Sequence, residues 1–300
     1  MPSRSFPRRI PSSGLLAAFV FFAATAATAA VPASTKPGDA AAPHLLSSVP
    51  ADLSAEAFDA HLGGHVLVHA LVSAVGLVDE ARATSGDARL CAAAEAAVRW
   101  YVFEASAKGA ALDVDVDVAK AAADEDPLSP DLIAEARSAE KEGDRRTALD
   151  WWVGALNRVG THPRLRNGWA VREQTLRLAK LLPTPPPVPS ATNGIIVGMS
   201  AQLERTVARG QHLDVIGILQ PALLEAPWYA DGYRCLAAAQ CGSGQLAEAR
   251  RTLRFYRMAA DSAGRARAQA ALQRLAAADT IGATELLKRQ PRKPETEPGE

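Results

Sequence analysis

The chain has little cysteine, few aromatic residues and no excess of charge of either sign. Of its 300 residues, 3 are cysteine and 5% are aromatic, and 33 Lys and Arg residues balance 33 Asp and Glu residues. A net charge of zero argues against a nucleic-acid partner, because such proteins usually carry a basic face. Cys235 and Cys241 would lie about 9 Å apart along one helix, too far for a disulfide. We therefore expect these cysteines and Cys91 to be small buried residues between packed helices.

The motifs that identify common enzymes are also missing. The sequence has no glycine-rich phosphate loop, no nucleophile elbow and no Cys-x-x-Cys pair. His61, His65 and His69 recur at every fourth residue, but Gly63–Gly64 would break a helix there. On a strand, His65 and His69 would share a face about 13 Å apart. Neither arrangement closes around one metal ion.

A second metal-like pattern is the alternation of Asp113, Asp115 and Asp117 with valines. It resembles the start of a calcium loop, but Val118 stands where such a loop requires glycine. Alternating Asp and Val residues are instead typical of a strand with one wet face. We therefore predict no metal, no cofactor and no catalytic residues, and hence a protein that is not an enzyme. An envelope hydrolase with dispersed catalytic residues stays open as an alternative.

The N-terminus carries the features of an export signal. Arg4, Arg8 and Arg9 precede an apolar run over Leu15–Ala26, which small residues follow. This layout is typical of a secretory signal peptide, and we assign residues 1–30 to one. The alternative is an uncleaved inner-membrane anchor, because the run approaches the minimum of about 17–25 residues that span a bilayer. Both interpretations place the rest of the chain in the periplasm, with membrane contact only through this segment.

Composition divides the remaining chain into segments. Residues 31–60 are rich in Pro, Ala and Ser, which predicts a tether. The chain as a whole is rich in Ala, Leu, Arg and Glu, a composition that favours helices over sheets. The predicted segments after the tether are a β-containing domain over 61–120, helices over 129–182, a proline-rich linker over 183–194, helical repeats with a cap over 195–289, and a disordered tail over 290–300.

The helical part repeats itself with a period of 34 residues. When Met199–Leu219 is aligned with the stretch 34 residues later, Gly210 falls on Gly244 and Leu219 falls on Leu253. Each unit predicts a helix, a turn at the glycine and a second helix. A fixed period of this length is the signature of a helical repeat protein.

This spacing resembles the tetratricopeptide (TPR) family. Pro227–Tyr233 resembles the junction between successive TPR units, and Gly244–Ala249 resembles the turn into a second helix. A third unit fits Leu132–Ala155, and residues 265–289 would cap the array. The resemblance implies a groove, lined by first helices, for a protein or peptide partner. The predicted exposed groove positions are Arg137, Glu204, Asp231 and Arg234.

Residues 61–120 predict a small domain with the order β-β-α-β-β, because alternating segments flank one helix. Asp87 is suited to cap this helix, and apolar residues then recur at helical spacing. Followed by the helical array, this domain makes the predicted fold class α+β. The predicted strands are His65–Val72, Leu77–Ser85, Tyr101–Phe103 and the segment around Val114–Val118.

That order and certain residues resemble the C-terminal domain of the TonB energy-transducer family. The residues that carry the resemblance are Gly76–Val78, Thr84–Gly86, Ala96–Trp100, and Gly109 with Leu112. The resemblance implies a TonB-like fold for residues 61–118. It also implies an alternative function, a TonB-type energy transducer for outer-membrane transport, anchored by its N-terminal helix. A transducer needs a membrane helix with a coupling His, and Leu15–Ala30 contains none. The leading prediction is an exported, non-enzymatic scaffold or adaptor that binds its partner through the TPR-like groove.

Overall fold

An antiparallel β region with a helix precedes an array of packed helices, so the fold is α+β, as predicted. The structure is a computed structural model that describes residues 42–120, 132–159, 168–184, 186–187 and 190–288. The predicted signal peptide and tail lie outside the described residues. The strands are β1 (Leu45–Ser47), β2 (Gly64–Val72), β3 (Val78–Ser85), β4 (Val102–Phe103) and β5 (Ala110–Val118). The helices are α1 (Ala55–Asp59), α2 (Ala88–Val98), α3 (Leu132–Lys141), α4 (Arg145–Leu156), α5 (Trp169–Leu181), α6 (Ser190–Ala208), α7 (His212–Glu225), α8 (Ala230–Gly242), α9 (Leu246–Ala259), α10 (Ser262–Ala276) and α11 (Thr280–Leu287).

The central strand of the β region is β2, which pairs antiparallel with β3 on one side and β5 on the other. Its side chains alternate between buried and exposed, so one face of the sheet packs with α2 into a core that includes Val66 and Val68. The α2 helix begins at its N-cap Asp87, whose carboxylate accepts a bond from the Arg89 N–H at 2.9 Å. The predicted order is therefore present as β2-β3-α2-β4-β5.

The β region begins earlier than residue 61, inside the segment that composition assigned to the tether. The β1 strand pairs antiparallel with β4, and α1 follows with Ser54 as its N-cap. Between these elements Val49, Ala51 and Leu53 are buried. Alternate burial along an extended segment fixes it to the core, although its Pro and Ala content resembles that of a linker. Residues 31–41 of the predicted tether lie outside the described residues.

Four helical hairpins in the described part of the chain share one turn geometry. Gly143, Gly210 and Gly244 adopt φ angles of 80°, 73° and 78° between their helices, a left-handed conformation that suits glycine. Ala278 adopts a φ of 59° at the corresponding point between α10 and α11. In every case the next residue donates its N–H to the carbonyl five residues before it. The predicted hairpins are present, and the segment predicted as a cap forms a further hairpin.

The hairpins leave no open groove at α8. This helix packs against α6, α7, α9 and α11, and every residue of Gly232–Cys241 is buried. The last hairpin causes this, because α10 lies against α9 while α11 folds back onto α8. A helix buried on all sides belongs to the interior of a domain. The groove expected from the resemblance to the TPR family is therefore filled at α8 by α11.

The proline cluster interrupts the helices as predicted. The α5 helix ends at Leu181 and α6 begins at Ser190, so residues 190–194 of the predicted linker are helical. The helices before this break form a separate small core around Leu149, Trp152 and Leu178. The second helical core, from α6 to α11, is continuous with the core of the β region.

Candidate interaction surfaces

Buried arginines on α9 join the helical array to the β region. Arg250 donates from Nη1 to the Phe103 carbonyl at 2.9 Å. Arg251 donates from Nε to the Trp100 carbonyl at 2.7 Å and from Nη2 to the Ser47 carbonyl at 3.0 Å. These bonds go to backbone carbonyls and not to carboxylates, so the contact requires the β-region backbone to keep its conformation. The arrangement fixes α9 against β1 and β4.

Arg254 completes this group, which we call the arginine cluster (Arg250, Arg251 and Arg254). Its Nη1 donates to the Arg99 carbonyl at 2.6 Å and the Val78 carbonyl at 3.0 Å, and its guanidinium lies 4.4 Å from the Trp100 ring centre. Arg99 is the C-cap of α2, where partial negative charge favours a cation. Burial lowers the pKa of all three guanidinium groups, but an arginine stays protonated in proteins.

Stacked aromatic rings lie beside the arginine cluster. Phe255 of α9 stacks on Trp100 with ring centres 4.7 Å apart and on Tyr233 of α8 at 5.5 Å. Trp169 of α5 stacks on Phe255 at 5.6 Å. Burial raises the pKa of Tyr233 to about 12, against the opposing effect of Arg172. Stacking of these aromatic rings therefore joins the β region, α5, α8 and α9.

Two of the predicted groove residues belong to an internal hydrogen-bond network. Arg234 is only 2% exposed. Its Nε donates to Asp231 at 2.7 Å, its Nη2 donates to Ser200 Oγ at 2.7 Å, and its Nη1 donates to the Leu287 carbonyl. Burial opposes the charge of Arg234, but the bond to Asp231 and nearby charges outweigh it and raise its pKa. The prediction that Arg234 is an exposed groove residue is therefore wrong, because α11 covers α8.

The other two predicted groove residues lie elsewhere. Arg137 is exposed on α3, one of the helices that form the small core before the proline cluster. Glu204 is part of α6, but its side chain lies outside the described residues. Asp231 keeps 44% of its side chain exposed, although Ser200 and Arg234 both donate to its carboxylate. Of the four positions, the structure brings Asp231 and Arg234 into contact.

Among the large apolar side chains of the described helices before α8, the most exposed lies on α7. Leu213 is 67% exposed and Ile218 is 41% exposed. The nearby Gly217 faces open space, since a Cβ added there would meet no atom within 4 Å. We call this side of the helix the α7 outer face. It consists of Leu213, Asp214, Gly217, Ile218, Gln220 and Pro221, all of them exposed.

The open face of the β-sheet carries the histidines and aspartates that resembled metal ligands. His65 Nδ1 lies 3.1 Å from Asp115, and His69 Nδ1 lies 2.9 Å from Asp113. His61 lies outside the strand. Within the described residues, no three His, Cys, Asp or Glu side chains are placed to hold a metal ion together. The aspartates occupy the exposed positions of β5, as the alternation predicts.

None of Cys91, Cys235 and Cys241 forms a disulfide. Cys235 and Cys241 are buried on α8, as predicted, and burial raises the pKa of Cys241 to about 12. Cys91 on α2 is partly exposed, which differs from the expected burial. Burial disfavours the thiolate form of Cys241, as is typical of a cysteine that packs between helices.

No model of a known protein family, no curated protein and no solved structure matches this chain. None of the helices in the described part of the chain is long and apolar enough to cross a membrane. The predicted apolar run near the N-terminus lies outside that part.

Proposed function

We propose that this chain is an exported, non-enzymatic scaffold that binds a partner protein through its TPR-like helical hairpins. Support comes from the hairpins themselves, whose turns at Gly210, Gly244 and Ala278 lie 34 residues apart. Such stacked hairpins supply extended surfaces rather than reactive side chains. Because α11 covers α8, the proposed binding surface is the α7 outer face rather than a groove at Asp231 and Arg234.

The observation that carries this proposal is the position of the α7 outer face in the repeat. Shifting the sequence by 34 residues places Gly217 on Arg251, and Gln220 on Arg254. On α9 this side of the helix holds the β region. On α7 the same side is exposed. The side of α9 that holds the β region is thus exposed on α7, in the preceding repeat, where a second protein can bind it.

The chemistry of the α7 outer face indicates the kind of partner. It contains Leu213 and Ile218, and Gly217 lets another backbone approach closely. Asp214 is the one charged residue among those that define this face, whereas the equivalent side of α9 carries the arginine cluster. We therefore propose a partner that presents an apolar helix or strand, since exposed apolar patches mark protein interaction sites.

Capture from an envelope fraction tests the proposal. The tagged wild-type chain should retain a partner, and Ile218→Glu should lower its recovery about tenfold or more, because a charge would be buried in an apolar contact. Ile281→Glu is the matched control, since Ile281 lies on α11 and is 77% exposed. No enrichment by the wild type, or equal loss with both variants, would contradict the proposal.

The alternative of a TonB-type energy transducer is supported by the order β2-β3-α2-β4-β5 of the β region. It requires that the apolar run near the N-terminus stays in the mature protein as an anchor. Sequencing the N-terminus of protein isolated from the envelope separates the two proposals. A mature chain that starts near Ala30 excludes the transducer and agrees with an exported scaffold.

A further inference from the structure

The turn between α10 and α11 differs from the three equivalent turns in its central residue. Gly143, Gly210 and Gly244 adopt the left-handed conformation in the earlier hairpins, and Ala278 adopts it here. An alanine in this conformation brings its Cβ too close to the following carbonyl oxygen. Of these four described turns, the last is therefore the one that carries backbone strain.

The local sequence favours a different path at this turn. Ala276 ends α10, Ala277 and Ala278 follow it in the turn, and alanine has the strongest helix preference of all residues. If these residues became helical, α10 and α11 would form one continuous helix over Ser262–Leu287, about 39 Å long. Local preference and tertiary packing therefore oppose each other at Ala278, a conflict that lowers the cost of an alternative conformation.

Tertiary packing is what holds α11 in the bent arrangement. Ala283 and Leu287 are fully buried against the core, and Arg234 of α8 donates to the Leu287 carbonyl. Asp279 also favours the bend, because its carboxylate caps α11 through the Gly282 N–H at 2.7 Å. The site on α8 that α11 occupies therefore combines apolar packing with a hydrogen bond from one buried guanidinium. We call it the α11 site.

We infer that α11 exchanges between two copies of this chain. When α10 and α11 straighten, the α11 site on α8 is exposed. The α11 helix of a second copy can then bind there with the same contacts. In the resulting reciprocal dimer, Arg234 donates to the carbonyl of Leu287 of the partner subunit. The exchange keeps the buried contacts and relieves the strain at Ala278. Short hinges under strain are known to favour such swapping.

The inference is independent of the α7 outer face, because it involves other helices and another copy of the same chain. It predicts that the full chain exists as a monomer and a dimer in slow exchange. The dimer should increase with concentration after incubation at a temperature that speeds opening. Sedimentation velocity of the full chain measures both species.

Ala278→Gly is the decisive variant. Glycine accepts the left-handed conformation without strain and weakens the continuous helix, so it favours the bent form. This should lower the tendency of each chain to straighten about tenfold. Because two chains must straighten, the association constant of the dimer should fall about a hundredfold. Ala277→Gly is the matched control, because Ala277 has a φ of −85° and a ψ of 13° in the bent form. Its φ is already negative, so glycine there relieves no left-handed strain and only weakens the continuous helix; its association constant should therefore fall less than that of Ala278→Gly.

Hydrogen exchange of the isolated dimer identifies the exchanged helix. The amides of Ala277–Thr280 should exchange more slowly in the dimer than in the monomer, because they join helical hydrogen bonds when the turn straightens. A wild-type chain that stays monomeric at all concentrations overturns the inference. So does a dimer that Ala278→Gly leaves unchanged, or one in which these amides exchange as in the monomer.

Discussion

The α6–α7 and α8–α9 hairpins have the same turn and are one 34-residue period apart, yet their second helices have different neighbours. Their central glycines, Gly210 and Gly244, differ by 5° in φ. The second helix of the later hairpin is locked to the β region through its arginine cluster. The second helix of the earlier one exposes Leu213 and Ile218. The repeat specifies the hairpin, and a few side chains on one helix face decide what covers it.

The side chains at equivalent positions explain this difference. On α9 they are long donors and an aromatic ring, which reach carbonyls and stack on Trp100. On α7, Gly217 has no side chain and Pro221 cannot donate, while Gln220 is shorter than an arginine and carries no charge, so this face offers fewer contacts to a neighbouring backbone. The equivalent pairs are Gly217 and Arg251, Gln220 and Arg254, and Pro221 and Phe255.

The largest contrast is expected between Phe255→Ala and Pro221→Ala. Phe255 is fully buried and stacked between Trp100 and Tyr233, so its truncation should lower the free energy of unfolding by about 3–5 kcal/mol. Pro221 is exposed inside α7, and its replacement by alanine should raise that energy, by at most about 3 kcal/mol. Urea titration followed by circular dichroism measures both. Similar destabilisation by the two variants would contradict the contrast between the helices.

A smaller contrast is expected between Arg254→Met and Gln220→Met. Loss of the guanidinium leaves the carbonyls of Val78 and Arg99 without this donor and removes the contact with the Trp100 ring. We expect a loss of about 2 kcal/mol in the free energy of unfolding. Gln220 is exposed, so Gln220→Met should change that energy by less than about 0.5 kcal/mol. Equal effects in thermal unfolding would show that the arginine cluster does not stabilise the junction.

Elements with a strong local signal could be predicted from the sequence. Alternation identifies β2 and β3, Asp87 identifies the start of α2, and the 34-residue spacing of Gly210 and Gly244 identifies two hairpins. In each case the residues that form the element also determine its position. The segment over β1 and α1 was missed because its burial depends on pairing with β4, far along the chain.

The surroundings of each helix could not be predicted in this way. Helical spacing placed Arg234 on the first helix of a unit, but the return of α11 to α8 decides its burial. The arginine cluster was also missed, since three arginines within five residues of one helix usually indicate a solvated face. The turn at Ala278 gives no glycine signal. Burial of this kind depends on contacts between distant segments.

The smallest effects are expected when alanine replaces the turn glycine of each hairpin. Gly210 and Gly244 both have positive φ, and a Cβ at either position would meet no atom within 4 Å. The cost is then backbone strain alone, about 1–2 kcal/mol for each variant. Gly210→Ala and Gly244→Ala should therefore lower the free energy of unfolding equally, although the β region covers the outer face of α9 and leaves that of α7 exposed. A markedly larger loss for Gly244→Ala would mean that contact with the β region, and not the repeat, determines the turn of α8–α9.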